Sequence, residues 1–247
     1  MSHKLTVIGI GPGAYDMMTG QAVKALQECD VIVGYQVYTE LVREYFPEKE
    51  YLTTPMRREE ERCRLAFAEA SKGKNTAMVC SGDAGVYGMA GLIWELSAEY
   101  PGVEIEIQPG ITAACSGAAC LGAPLIHDFA VISLSDLMTP WEKIKKRLHA
   151  AAEADFSIVL YNPSSHKRKD YLEKACEILL QSLPQETVCG TVENIGREGT
   201  KVCICTLGEL KTIQVNMFTT VFIGNGSTKL INGKMVTPRG YHLEENT

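Results

Sequence analysis

No run of apolar residues in this sequence is long enough to cross a membrane. Stretches such as Leu5-Thr-Val-Ile-Gly-Ile10 and Phe156-Ser-Ile-Val-Leu-Tyr161 extend over six residues, against roughly 20 for a spanning helix. The start, Met1-Ser-His-Lys-Leu5, has no secretory apolar segment before the first strand pattern, so a cytoplasmic protein is expected. Metal-ligand spacing is missing too. The nine cysteines include no Cys-x-x-Cys pair, the closest being Cys203-Ile-Cys205 and Cys115 with Cys120. Neither a zinc site nor a disulfide scaffold is expected, and thiols set among apolar residues, as in Met78-Val-Cys80, are read as small core residues. Nor is there an excess of positive charge. With 24 basic and 30 acidic residues the net charge is −6, which excludes a basic nucleic-acid footprint over the whole surface. Internal repeats, low-complexity tracts and long linkers are also absent.

What is present is an ordinary globular composition, 45% apolar and 22% charged over 247 residues, enough for one large domain or two compact ones. Short β-branched runs alternate with segments of helical period, the signature of an α/β fold with a largely parallel sheet. Strands are expected at Lys4–Ile10, Val31–Val33, Glu50–Thr53, Asn75–Cys80 and Val103–Gln108. Helices are expected between them at Thr19–Cys29, Val37–Tyr45, Glu59–Ser71 and Met89–Tyr100. A small-residue helix, Thr112–Leu121, is rich in Ala and Gly, which suits close packing. After a pause near Gly122–Asp128 a second series follows: strand Phe129–Ser133, helix Pro140–Ala154, strand Phe156–Tyr161 and helix Lys169–Leu183. Strand-rich sequence at Thr187–Glu193, Lys201–Thr206, Thr219–Ile223 and Lys234–Val236 completes it. Two domains are expected, 1–124 and 125–247: a mostly parallel sheet with flanking helices, then a mixed sheet with helices.

Three glycine loops leave strands. Gly9-Ile-Gly11-Pro-Gly13-Ala14 formally matches a dinucleotide fingerprint. Two features oppose that reading: Val31-Ile-Val-Gly-Tyr-Gln36 lacks the acid that would bind a ribose, and Pro12 removes an N–H from the loop that would cradle pyrophosphate. The second loop, Cys80-Ser-Gly82-Asp83-Ala-Gly85-Val-Tyr-Gly88, carries one acid, Asp83, which either caps the next helix or faces a ligand. Pro109-Gly110-Ile-Thr112-Ala113 is the third. All three would gather at one edge of a parallel sheet, where open α/β folds bind ligands.

Gly9-Ile-Gly11-Pro-Gly13, Ser81-Gly82-Asp83 and Pro109-Gly110-Ile-Thr112-Ala113 resemble, in order and spacing, the N-terminal motifs of the tetrapyrrole methylase family, whose two-domain members methylate precorrins and uroporphyrinogen with S-adenosylmethionine. The resemblance continues through Leu134-Ser135-Asp136-Leu-Met-Thr139-Pro140-Trp141, Tyr161-Asn162-Pro163 and Thr237-Pro238-Arg239-Gly240-Tyr241, and so covers essentially the whole chain. Gly82-Asp-Ala-Gly-Val-Tyr-Gly-Met-Ala90 and Ala123-Pro-Leu-Ile-His127-Asp128-Phe129 are similar to the ring-contracting branch that methylates C-17 in cobalamin biosynthesis. Where the uroporphyrinogen enzymes have Tyr-Met-Gly, this chain has Tyr161-Asn162-Pro163. Some ring-contracting members carry a C-terminal extension of metal-cluster character; none is expected here, and no metal.

The resemblance implies S-adenosyl-L-methionine as methyl donor, leaving S-adenosyl-L-homocysteine, held between the two domains. Pro12, Gly82, Asp83, Val86, Thr112 and Ala113 would contact it from the first, and Ser133, Asn162, Asn194, Ile195, Thr219 and Thr220 from the second. The implied substrate is a precorrin or cobalt-precorrin, with neither nucleic acid nor membrane as partner and a homodimer as the assembly. Ring contraction needs proton handling, for which Asp136 and His127 are candidates with Ser135 orienting; Ser135 or Asp136 capping the helix near Pro140, and His127-Asp128 as a hinge, are the alternatives. Peripheral carboxylates would draw Arg57, Arg58, Lys167, Arg168 and Arg239, though each also suits a solvated helix face. A sibling methyltransferase of the same fold, acting on another tetrapyrrole or in the diphthamide pathway, and a non-catalytic binding protein remain open.

Overall fold

The computed structural model describes residues 3–165 and 167–241. The chain divides into two compact units, Met1–Ala113 and Ala114–Thr247.

In the first unit, β1 (His3–Gly9), β2 (Val31–Tyr35), β3 (Glu50–Thr54), β4 (Thr76–Cys80) and β5 (Val103–Gln108) form a wholly parallel sheet in the order β3-β2-β4-β1-β5. The helices α1 (Gly20–Glu28), α2 (Gln36–Arg43), α3 (Glu59–Ser71) and α4 (Ala90–Leu96) cover its two faces. Central strands buried on both sides read as unbroken apolar runs, and alternation then sorts their side chains. Leu5, Val7, Val31, Val33 and Met78 pack with Cys63, Phe67 and Ala70 of α3 and Ile93 of α4. Ile8, Ile32, Ala77 and Val79 pack with Ala22 and Leu26 of α1 and Val42 of α2. The edge strand β5 alternates visibly instead: Val103, Ile105 and Ile107 turn to the first of these clusters, while Glu106 pairs with Lys4 on exposed surface. Phe67 stacks on Tyr100 with centroids 4.3 Å apart. The expected helix Met89–Tyr100 is shorter, ending at Leu96 and passing into a 3-10 turn, Ser97–Glu99. Ser97 Oγ donates to the Trp94 carbonyl at 2.7 Å, a local bond that competes with continued α-helix.

The second unit begins with α5, whose range is Ala113–Leu121, and β6 (Gly122–Ala123). There follow β7 (Phe129–Ser133), α6 (Trp141–Glu153), β8 (Ser157–Tyr161), α7 (Tyr171–Leu179), β9 (Val188–Glu193), β10 (Lys201–Thr206), α8 (Leu207–Leu210), β11 (Thr219–Ile223), β12 (Lys229–Ile231) and β13 (Lys234–Val236). Its main sheet runs β10-β9-β11-β8-β7 and is mixed: β7 and β8 are parallel and the other pairs antiparallel. One face carries α6 and α7 through Ile144, Leu148, Leu172, Cys176 and Leu179. The other meets α5 closely. A Cβ on Gly117 would lie 2.7 Å from Phe222 Cζ, and one on Gly190 would lie 2.5 Å from Leu121 Cδ2, so the small residues of α5 answer to this approach. Both α5 and β6, which lie between the observed division and the expected boundary at 124/125, pack within the second unit, β6 pairing with β13. Among the described residues, α8, β6 and β12 have no counterpart in the sequence expectations; α8 is a single turn held by a capping box between Thr206 and Glu209.

Candidate active site

The three glycine loops follow β1, β4 and β5, which are neighbours in the sheet, so their shared edge is a consequence of strand order. Gly11 N donates to Gly82 O at 3.0 Å and Gly82 N to Gly11 O at 2.7 Å. Both residues have positive φ, 69° and 68°. A Cβ on Gly110 would lie 2.1 Å from Gly82 O, and one on Gly9 2.7 Å from Gly110 N. At Gly9 and Gly110 backbone thus stacks on backbone with no room for a side chain. Asp83 braces the stack: Oδ1 accepts from Gly85 N at 2.8 Å and Oδ2 from Gly110 N at 2.9 Å. It does not cap α4, which starts at Ala90 with Met89 before it. Thr19 joins the same edge, its hydroxyl accepting from Ala22 N at the start of α1 and donating to Pro109 O at 3.2 Å. Pro12 is buried, Val86 N reaches Asp83 O at 3.3 Å, and Thr112 and Ala113 lie within 4 Å of the position a Gly82 Cβ would take.

These bonds decide what the edge can hold. The N–H groups of Gly11, Gly82, Gly85 and Gly110 are committed to one another's loops or to Asp83, and Pro12 has none. A phosphate cradle needs such groups free. The arrangement suits a ligand that is neutral or cationic where it meets these loops.

In the second unit the sheet register collects another group. Ser133 pairs with Tyr161, Val221 with Leu160, and Thr219 with Glu193. Continuing those pairings brings Ser133, Asn162, Thr219, Thr220 and Asn194 to one end of the sheet. Asn162 and Asn194 both adopt φ 54°, a left-handed corner that Asn tolerates better than most residues. Asn162 Nδ2 donates to Ser133 Oγ at 3.0 Å, and Ser135 N donates to the same oxygen at 3.2 Å. Asn194 N donates to Phe218 O at 3.2 Å, while its carbonyl accepts from Thr200 Oγ1 at 2.8 Å. Ile195, Thr219 and Thr220 are buried.

Beyond Ser133 the chain turns through Ser135 and Asp136 to meet the start of α7. Tyr171 Oη donates to Asp136 Oδ2 at 2.6 Å. Arg168 Nη1 donates to Ser135 Oγ and lies 3.5 Å from Asp136 Oδ1, and its Nε donates to Ser165 Oγ at 3.0 Å. The hydrogen bond to Asp136, followed by partial desolvation, pushes the Tyr171 phenol above its ordinary range, so it keeps its proton and remains a donor. Neither Ser135 nor Asp136 caps α6, whose N-cap is Pro140. Tyr171 is absent from the sequence-derived site; its only local signal is its place three residues beyond Arg168 at a helix start.

One expected residue of the same unit, His127, is not brought to this corner. His127 Nε2 lies 3.0 Å from Pro238 O, at the opposite end of β7 from Asp136. The intervening strand measures about 16 Å at roughly 3.3 Å per residue, so the two side chains cannot share a proton. The nearby Thr237 hydroxyl donates to Pro124 O at 2.7 Å, so the segments on either side of these contacts are joined by two hydrogen bonds. Arg57, Arg58, Lys167 and Arg239 are exposed, Arg58 pairing with Glu61 at 3.5 Å. Arg168 is spent internally, and Arg62 is buried against Thr54 Oγ1 and Pro55 O. Burial pushes the Cys80 and Cys63 thiols up to about 11 and about 12, as inert core groups. Among the described residues no cluster of His, Cys, Asp or Glu suits a metal, and no helix is long and apolar enough to cross a membrane.

An all-parallel first sheet with three stacked glycine loops, followed by a mixed second sheet with an Asn-Ser-Asp corner, defines a two-unit α/β ligand-binding class distinct from the dinucleotide binders. Residues 4–211 match the family described as Tetrapyrrole (Corrin/Porphyrin) Methylases, and the chain belongs to that family. It is 48% identical, over 97% of its length and 100% of the relative's, to a probable cobalt-factor III C(17)-methyltransferase of Salmonella typhimurium. It is 37% identical, over 98% of each chain, to a precorrin-3B C(17)-methyltransferase of a Sinorhizobium species. Among solved structures, the methyltransferase CobJ superposes with a TM-score of 0.87 at 34% identity, covering 95% of this chain and 99% of that one.

Proposed function

We propose that this protein is an S-adenosyl-L-methionine-dependent methyltransferase of cobalamin biosynthesis that methylates C-17 of precorrin-3B or its cobalt form and contracts the macrocycle. The observation that carries the cofactor class is the glycine edge, whose N–H groups are consumed internally; such an edge suits a sulfonium nucleoside better than a pyrophosphate. The substrate rests on the names of relatives matched from end to end. When bound, the cofactor supplies a methyl group on a cationic sulfur, open to attack by an electron-rich ring carbon. This chain's share is placement, which lowers such barriers by roughly 7–11 kcal/mol when reacting atoms are held in line. Pro12, Gly82, Asp83, Val86, Thr112 and Ala113 are the first unit's contacts to the cofactor in this reading. Ser133, Asn162, Asn194, Ile195, Thr219 and Thr220 are the second unit's. Asp136 is the proton-handling group, oriented through Ser135, and Arg57, Arg58, Lys167 and Arg239 meet peripheral carboxylates. The protein works in the cytoplasm as a homodimer.

The test is incubation with methyl-labelled S-adenosylmethionine and either precorrin-3B or its cobalt form. The expected product is heavier by one methyl and carries the label. Binding of S-adenosylhomocysteine without transfer to either tetrapyrrole would replace this reading with a sibling methyltransferase or a binding protein.

A further inference from the structure

We propose that Tyr171 is a positioning residue that acts through Asp136, holding one carboxylate oxygen so that the remaining lone pairs face the substrate in a fixed direction; this rests on the reading of Asp136 as the proton-handling group. Asp136 sits on the loop between β7 and α6, with no helix or strand to hold it, so its carboxylate is free to rotate unless neighbours fix it. Two donors do so. The Tyr171 hydroxyl lies at 2.6 Å from Oδ2, whereas Arg168 Nη1 is 3.5 Å from Oδ1, at the limit of a useful hydrogen bond. The short bond therefore sets the orientation, and the guanidinium supplies charge nearby while anchoring Ser135.

The Tyr171 ring is itself held. It is the first residue of α7 and packs on Trp141 of α6 with centroids 4.6 Å apart. Lys174, one turn on, pairs with Asp170 at 2.7 Å and so has its own carboxylate. A two-point hold leaves Asp136 partly exposed, as a group that must reach substrate requires. A general acid or base must lie within hydrogen-bond reach of its proton in a defined direction, and misplacement by about 1 Å can cost roughly a hundredfold in rate.

The test is a double-mutant cycle on the full chain, Tyr171→Phe with Asp136→Asn. The phenyl ring keeps the Trp141 contact and removes only the hydroxyl. Tyr171→Phe should lower kcat roughly ten- to a hundredfold, leave KM and S-adenosylhomocysteine affinity within about twofold, and add no further loss when Asp136 is already Asn. Losses that multiply in the double mutant would overturn the proposal, because Tyr171 then acts independently of Asp136. A parallel fall in S-adenosylhomocysteine affinity would overturn it too, as the mark of a structural role. Full activity of Asp136→Asn alone removes Asp136 from catalysis and the proposal with it, while the methyl-transfer reading stands on its own assay.

Discussion

Asp83 shows how a single residue does something other than its sequence neighbourhood suggests. Set between two glycines ahead of a helix, it reads as a cap or a ligand contact, yet its two oxygens span the second and third loops and satisfy Gly85 N and Gly110 N. Asp83→Ala leaves both N–H groups without a partner, at a cost of about 1–3 kcal/mol each where water cannot replace it. S-adenosylhomocysteine affinity should fall about tenfold, the equivalent of about 1.4 kcal/mol; calorimetry giving an unchanged affinity would remove Asp83 from the cofactor edge. Arg168 is a parallel case. Its place in Lys167-Arg168-Lys169 suggests a clamp for substrate carboxylates, but its guanidinium faces Ser135, Asp136 and Ser165. Charge type was legible in the sequence; the direction of the side chain was not, because it is set by a loop a few dozen residues upstream.

Among elements, the legible ones were those whose burial is two-sided or whose period is long. The strands β1, β2 and β4 and the helices α1 and α3 appear close to their expected bounds, since short apolar β-branched runs and helical period are local properties. Short pieces such as β6, α8 and β12 carry too few residues for any period, and β6 exists because β13 pairs with it. The junction of α3 and β4 has its own electrostatic signature. Glu69, nearly buried, accepts from Lys72 Nζ at 2.6 Å and Lys74 Nζ at 2.8 Å, and these partners hold its carboxyl below the ordinary 4.5. A lowered folded value means that the contribution is present above the ordinary range and is lost as pH falls through the folded value. Glu69→Gln should therefore reduce stability at neutral pH and flatten the acid limb of denaturant-derived stability against pH. An acid limb as steep as in the parent would show that Glu69 titrates as an unpaired group.

For the whole molecule, the proposed homodimer has a direct check. Exposed apolar side chains such as Trp94 on the first unit and Leu230 on the second are candidates for burial in it. Sedimentation of the full chain at micromolar concentration should give twice the 27.1 kDa mass, and a monomer at the highest soluble concentration would discard the dimer. By itself the sequence determined the α/β class, the three strand-loop-helix units and the unfitness of the first loop for pyrophosphate. Each follows from local periodicity, glycine placement or the missing N–H of Pro12. Only the tertiary structure decided that β4, β1 and β5 lie side by side, that Tyr171 meets Asp136, and that His127 belongs to the far end of β7. Strand order and register set those distances, and both are settled by packing between residues far apart in the chain.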